Sequence, residues 1–156
     1  MLKHLTTVAI TCVATGGLLA CGEDDTSTAD RPAATTAETQ TAAAEFTTVT
    51  PAAIAPRAAA GEVLLVDVRE DSEWDAGRAP DAIHVPLAEI PGALKRLETQ
   101  ADGKPIAFIC RSGNRSGQAS QAAVDAGLQD IINVSGGMGE WVAAGLPLVP
   151  EDGTVL

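Results

Sequence analysis

The sequence PIAFICRSGNRS occupies residues 105–116 and contains two contrasting patterns. Residues 105–109 form a continuous apolar run, which is typical of a strand buried on both faces of a parallel sheet. Cys110 ends this strand, polar and glycine residues follow it, and a helix is predicted to extend to Ala126, with Gly127 as its C-terminal cap. Open α/β sheets bind ligands at the carboxyl ends of their strands, so Cys110 is predicted to lie in a ligand site.

Four other short apolar segments have the same character, and helical patterns lie between them. The five predicted strands cover residues 46–49, 63–68, 82–85, 105–109 and 131–134. The predicted helices begin at Thr50-Pro51, cover 71–75, cover 87–97 with an interruption at Pro91, precede Gly127, and cover 138–144. Strands that alternate with helices in this way predict an α/β fold in which helices cover both faces of a parallel sheet.

Composition excludes several classes of function. Of the 156 residues, 46% are apolar but only 3% are aromatic, so the core must consist mainly of Ala, Val, Leu and Ile. Ten Lys and Arg against 21 Asp and Glu give a net charge of −11, which would repel a nucleic-acid backbone. Two His and three Cys form no close pairs. We therefore expect no nucleic-acid partner, no metal centre and no cofactor.

The N-terminal residues resemble an export signal. Lys3 precedes an apolar run over residues 5–20 that is shorter than the roughly 18 residues of a membrane-spanning helix, so residues 1–20 are interpreted as a signal peptide. Leu18-Leu19-Ala20-Cys21 resembles the lipobox of bacterial lipoproteins, which implies a diacylglycerol on the sulfur of Cys21. We expect a lipid-anchored protein of the bacterial cell envelope whose domain faces the periplasm or the exterior. An ordinary secretory signal without lipid is the alternative.

The rest of the chain divides into three parts. Residues 21–45 are rich in Thr, Ala, Glu and Asp and too poor in bulky apolar side chains to fold, so they are predicted to be a disordered tether behind the lipidated N-terminus. Residues 46–150 form the predicted domain, and residues 151–156 form a C-terminal tail.

Processing of the leader would leave Cys110 as the only free thiol, because Cys12 is removed and Cys21 is lipidated. A lone thiol in an exported protein is either a small buried hydrophobe or a nucleophile. Core cysteines are not followed by a run of polar residues, which favours the nucleophile. An anion-binding site that lowers the thiol pKa is predicted here. Its positive groups would be the loop amides, the N-terminus of the following helix, Arg111 and Arg115. The other predicted substrate-binding residues of this loop are Ser112, Gly113, Asn114 and Ser116.

The loop sequence Cys110-Arg111-Ser112-Gly113-Asn114-Arg115-Ser116 is similar to the active-site loop of single-domain rhodaneses, the thiosulfate sulfurtransferases. Two flanking regions also resemble the signatures of this family. They are LVDVRE at residues 65–70 with Glu73-Trp74, Gly77 and residues 82–86, and Gly136-Gly137 to Trp141 with residues 144–147. One departure is Gly77-Arg78-Ala79, where the family usually has Gly-His-Ile.

The resemblance implies a three-layer fold with a mostly parallel five-stranded sheet and a covalent reaction in two steps. The thiolate of Cys110 would take the outer sulfur of thiosulfate or a related anionic donor, and sulfite would leave. The resulting persulfide would pass its sulfur to a thiol or to cyanide. Arg111, Arg115 and the loop amides would hold the anion. We expect the protein to be a monomer.

Two other functions compete with this interpretation. Protein phosphatases and arsenate reductases also surround an anion with a cysteine loop, but their pattern is Cys-x5-Arg, whereas Cys110 and Arg115 give Cys-x4-Arg. A non-enzymatic rhodanese-like module that binds a partner or carries sulfur is the second alternative. Members of that kind generally lack the cysteine.

Residues outside the loop receive more modest interpretations. Asp67 and Arg69 lie at a strand end, where they either orient the loop as supporting residues, which we favour, or pair with each other. Trp74 and Trp141 are predicted to be core residues. His84 lies in a predicted strand and is interpreted as structural and not as a base.

Overall fold

The computed structural model describes residues 45–156, so the predicted leader, Cys21 and the tether up to residue 44 lie outside the described residues. Five strands and five α-helices form the domain. In chain order they are β1 (Thr47–Val49), α1 (Pro51–Ala59), β2 (Leu64–Asp67), α2 (Asp71–Ala76), β3 (Ala82–His84), α3 (Ile90–Ala101), β4 (Ile106–Ile109), α4 (Asn114–Asp125), β5 (Ile131–Val134) and α5 (Gly137–Ala143).

The strands form one parallel sheet in the order β1-β5-β4-β2-β3. Helices α3 and α4 pack together on one face, and α1 and α5 pack together on the other. The predicted α/β fold with a five-stranded sheet and helices on both faces is therefore confirmed.

Strand β4 shows why its sequence is apolar throughout. Ile106, Phe108 and Cys110 belong to the core cluster beneath α3 and α4, whereas Ala107 and Ile109 belong to the cluster beneath α1 and α5. Successive side chains of a strand point to opposite faces, so a central strand covered on both faces needs an apolar residue at every position. The same alternation places Cys110 on the α4 face.

Small side chains bring α4 close to the sheet. Ala119 and Ala123 are fully buried in the core cluster that contains β4. Ser120 is also fully buried and donates a hydrogen bond to the carbonyl of Ile132 in β5. Because α4 begins at Asn114, this close packing places its first turn beside Cys110.

The third helix differs from its prediction. A 3-10 turn covers Leu87–Glu89, and α3 then runs without a break from Ile90 to Ala101. Pro91 does not interrupt the helix because it lies in the first turn, where the amide that proline lacks would have no helical partner.

The residues predicted to be a C-terminal tail contact the domain. Just before them, Val149 pairs with Arg78 in an antiparallel bridge, and within the predicted tail the amide of Thr154 donates to the carbonyl of Ala76 at 2.8 Å. Val155 packs against the core cluster beneath α1 and α5. A Cβ at Gly77 would lie 2.7 Å from the carbonyl oxygen of Thr154, so this close approach requires glycine.

Asp67 and Arg69 form a buried ion pair. Both side chains are fully buried, and an Arg69 Nη atom lies 2.7 Å from Asp67 Oδ2 and 2.8 Å from the carbonyl oxygen of Gly77. Val66 shares the core cluster of Cys110, so strand alternation directs Asp67 to the opposite face of the sheet. Within residues 45–156, the side-chain hydrogen bonds of both residues go to each other and to Gly77, and none reaches the loop after Cys110.

This ion pair generates a prediction about stability. Asp67→Ala leaves the Arg69 guanidinium buried without its partner and should lower the free energy of unfolding by about 3–5 kcal/mol. Urea denaturation of the full chain, followed by tryptophan fluorescence, measures the loss. Asp75→Asn, at an exposed position of α2, is the control and should change it by less than about 0.5 kcal/mol. Equal effects of the two substitutions would contradict a stabilising role for the pair.

Candidate active site

Cys110 lies between the end of β4 and the start of α4, and only 1% of its surface is exposed to solvent. The amide of Gly113 donates a hydrogen bond to its Sγ atom at 3.1 Å. The hydroxyl of Ser116 lies 3.5 Å from the same atom. The loop therefore curls around the sulfur and directs two donors toward it, an arrangement that suits a negatively charged sulfur.

Two opposing effects decide the ionisation of this thiol. Burial raises the pKa of Cys110, because a thiolate loses hydration there. Hydrogen bonds from the Ser116 hydroxyl and from the amides of Ser116, Ser112 and Gly113 stabilise the thiolate and lower the pKa. The donors outweigh the burial, so the pKa of Cys110 lies below its ordinary value. A thiolate is the form that acts as a nucleophile.

Ser116 is itself held by a residue that the sequence did not indicate. Its Oγ also lies 2.7 Å from Asn133 Oδ1, to which it donates a hydrogen bond when its single hydrogen is not turned toward Sγ, and Asn133 belongs to the neighbouring strand β5. The hydroxyl is fully buried, so this bond fixes its position next to Sγ. Asn133 was missed because it lies inside an apolar strand far from the loop in sequence.

The first turn of α5 fixes the backbone of the loop. The amides of Met138 and Gly139 donate to the carbonyl oxygens of Cys110 and Arg111 at 2.8 and 2.9 Å. Gly137 has a φ of +54°, and a Cβ there would overlap the carbonyl oxygen of Cys110. The paired glycines after β5 were the sequence signal for this contact, although the sequence alone assigned them no task.

The two loop arginines differ in their surroundings. Arg111 is exposed beside Cys110. Arg115 makes a bidentate pair with Glu73 of α2, with N–O distances of 2.6 and 2.7 Å. The hydrogen bond from Arg115 is the main cause that lowers the pKa of Glu73, and the same bond raises the pKa of Arg115. Arg111 and Arg115 were predicted to hold the anion together, yet the guanidinium of Arg115 lies on a carboxylate.

The remaining loop residues lie at the surface. Ser112 and Asn114 are exposed, and Asn114 Oδ1 accepts a hydrogen bond from Gln118 at 2.9 Å. A cleft of about 590 Å³ opens beside Arg111 and Ser112. Its other lining residues are Gly136, Gly139, Glu140, Val142, Val155 and Leu156.

The two tryptophans have different environments. Trp141 is 2% exposed and donates to the carbonyl of Pro147, which confirms its prediction as a core residue. The same prediction was wrong for Trp74, which is half-buried between the His84 ring, at 4.8 Å, and the guanidinium of Arg78, at 4.9 Å. His84 donates from Nε2 to the carbonyl of Arg69, in agreement with a structural histidine.

The hydrogen bonds to Sγ generate a prediction about pH dependence. Ser116→Ala removes a donor to the thiolate and should raise the pKa of Cys110, so that alkylation by iodoacetamide requires higher pH. Ser112→Ala should leave the pKa in place, because Ser112 contributes its backbone amide and not its hydroxyl. The measurement is the alkylation rate of Cys110 against pH in the full chain. Coincident profiles for wild type and Ser116→Ala would contradict the assignment of this hydroxyl.

Known proteins resemble this chain in sequence and in fold. The family model described as a rhodanese-like domain matches residues 50–144. A sulfurtransferase of Allochromatium vinosum is 36% identical over 92 residues, which cover 59% of this chain and 83% of that protein. The thiosulfate:glutathione sulfurtransferase of Saccharomyces cerevisiae is 36% identical over 93 residues, with coverages of 53% and 67%.

A solved structure gives the same result. The human single-domain sulfurtransferase TSTD1 superposes with a TM-score of 0.53 at 30% identity, over 62% of this chain and 95% of that one. Some relatives are longer, since the chain matches only 47% of the length of a Synechocystis protein to which it is 43% identical. The match to the family model covers more than half of the chain, and the chain belongs to the family of rhodanese-like domains.

Proposed function

We propose that this protein is a sulfurtransferase that moves sulfane sulfur from thiosulfate, or a related anionic donor, to a thiol or cyanide through a persulfide on Cys110. The observation that carries the proposal is the buried Sγ atom with the Gly113 amide at 3.1 Å and the Ser116 hydroxyl at 3.5 Å. These donors lower the pKa of Cys110 and so favour the thiolate, which is the nucleophilic form. Relatives that are named sulfurtransferases support the same chemistry.

The proposed reaction balances in two steps. The thiolate of Cys110 attacks the outer sulfur of thiosulfate, the S–S bond of the donor breaks, and sulfite leaves with the bonding electrons. The outer sulfur remains on Cys110 as an anionic persulfide, which the same amide and hydroxyl donors can stabilise. An acceptor thiolate or cyanide then attacks that outer sulfur and restores the thiolate of Cys110.

The site favours sulfur transfer over phosphate chemistry. In the Cys-x5-Arg loops of phosphatases, the arginine stands where this chain has Ser116. Here that position is fully buried, and its hydroxyl is bonded to Asn133. The loop therefore lacks the bidentate cation that a phosphate ester needs at this position.

The proposal predicts a change in mass. Incubation of the full chain with thiosulfate should add one sulfur atom to Cys110, and dithiothreitol should remove it. Cys110→Ser should gain nothing, because a hydroxyl is neither ionised nor able to accept sulfur at neutral pH. Peptide mass spectrometry locates the added atom. A protein that is modified by neither thiosulfate nor mercaptopyruvate would overturn the proposal, and a persulfide that forms but is not turned over with cyanide would favour a carrier.

We also propose that Cys21 anchors the protein to a bacterial membrane in the cell envelope. The support is the sequence Leu18-Leu19-Ala20-Cys21 at the end of an apolar leader. Across residues 45–156, no helix is long and apolar enough to cross a membrane. Each buried acyl methylene contributes about 0.8 kcal/mol, so two or three acyl chains would suffice as an anchor.

The anchor proposal is tested by cell fractionation. Cys21→Ser should release the protein from the membrane fraction or leave it unprocessed, because it removes the sulfur that carries the lipid. Cys12→Ser, within the leader, is the matched control and should remain in the membrane fraction. Wild-type protein recovered entirely in a soluble periplasmic extract would contradict the anchor.

A further inference from the structure

A half-buried ion pair lies beside the proposed nucleophile. Arg115, in the first turn of α4, makes two hydrogen bonds to Glu73 of α2. Their side chains are only 27% and 14% exposed, so water screens this pair less than it screens an ion pair at the open surface. Arg115 and the Cys110 thiolate also attract each other, which contributes to the raised pKa of Arg115. Glu73 therefore holds its carboxylate on the guanidinium that interacts with the reacting sulfur.

The backbone keeps Glu73 in this place. Its Oε2 atom accepts a hydrogen bond from the amide of Glu70 at 3.1 Å, which closes a capping box at the start of α2. The carboxylate is thus held from two sides, by a helix terminus and by a guanidinium. Near the thiolate of Cys110, the positive charges of Arg111 and Arg115 are opposed by the negative charge of Glu73.

We infer that Glu73 is a specificity-determining residue, which neutralises Arg115 and so limits the preference of the site for doubly charged anions. This inference rests on the proposed sulfur transfer. It adds to that proposal a statement of which charge on the sulfur donor the site prefers. With Glu73 in place, the formal charges of Cys110, Arg111, Arg115 and Glu73 cancel. Arg111 is then the exposed loop cation that meets an incoming donor.

A change of one unit charge near Sγ acts on each ligand in proportion to the charge of that ligand. Loss of the Glu73 carboxylate should therefore favour a dianion such as thiosulfate over a monoanion, and a monoanion over a neutral reagent. Salt should reduce the difference, because the site opens to solvent. A residue that only held the loop in place would change all reagents alike.

Alkylation of Cys110 tests how Glu73 changes the electrostatic potential at Sγ, and it requires no sulfur transfer. Iodoacetate carries one negative charge and iodoacetamide carries none, and the ratio of their rates cancels any change in the thiolate fraction. In the full chain, with Cys110 resolved by peptide mass spectrometry, Glu73→Gln should raise the iodoacetate-to-iodoacetamide ratio by about three- to tenfold at low salt. Asp75→Asn makes the same charge change on the same helix and should leave the ratio near that of wild type.

A double-mutant cycle separates charge from structure. Arg115→Ala should lower the ratio below wild type, because Glu73 then stands alone, and adding Glu73→Gln should return it toward wild type. Circular dichroism checks the folding of each variant. An unchanged ratio in Glu73→Gln, or an equal rise in Asp75→Asn, would overturn the inference.

Turnover provides the second measurement. Glu73→Gln should raise kcat/KM for thiosulfate relative to a monoanionic aromatic thiosulfonate by about three- to tenfold at low salt. If wild type takes sulfur from neither donor, the proposed function fails while the alkylation ratio still tests the charge assignment. If both donors react and their ratio is the same in wild type and Glu73→Gln, the inference fails and the proposed function stands.

Discussion

The contact between the first turn of α5 and the loop after β4 determines the geometry of the site. Two consecutive amides, from Met138 and Gly139, hold the carbonyl oxygens of Cys110 and Arg111. With these carbonyls directed toward α5, the chain turns so that the amide of Gly113 faces Sγ. This arrangement requires glycine at position 137, because any side chain there would overlap the carbonyl of Cys110. The carbonyls of Cys110 and Arg111 are thus satisfied by α5, and the amide of Gly113 is directed at the sulfur.

The same arrangement resolves a conflict between burial and charge. A thiolate on a residue that is 1% exposed loses most of its hydration, which by itself would keep the thiol protonated. The donors aimed at this one sulfur stabilise the thiolate by more than burial destabilises it, so the pKa of Cys110 lies below its ordinary value. Close packing of α4, through Ala119 and Ala123, is therefore part of the chemistry because it brings Ser116 to the sulfur.

Local patterns in the sequence predicted the fold, and they pointed to the loop after Cys110 as the candidate site. The apolar run of β4, the polar loop after Cys110 and the alternation of strands and helices each follow from short stretches of chain, and each is observed. The errors concern tertiary contacts. The burial of Trp74 depends on its neighbours His84 and Arg78, and Pro91 was read as a break because its position in the helix depends on where the preceding turn ends.

The hydrogen-bond partners of the site residues could not be predicted from short stretches of sequence either. Asn133 lies in strand β5 whereas Ser116 lies in helix α4, and Glu73 precedes Arg115 by 42 positions. No spacing rule relates such residues, because the distance between them is set by the packing of helices against the sheet. The loop sequence alone shows two positively charged side chains, Arg111 and Arg115. In the folded chain, the carboxylate of Glu73 balances the charge of Arg115.

Two arginine–carboxylate pairs, Asp67–Arg69 at the end of β2 and Glu73–Arg115 between α2 and α4, have different consequences because of their places in the fold. The Asp67–Arg69 pair is fully buried on the sheet face opposite Cys110, so its charges act on stability and lie away from the reacting sulfur. The Glu73–Arg115 pair is half-buried and joins α2 to the first turn of α4, beside the thiolate. A carboxylate in that position sets the net charge that an incoming anion meets. In a chain with a net charge of −11, the cations of this loop are few, and the pairing of one of them has a large effect on the local field.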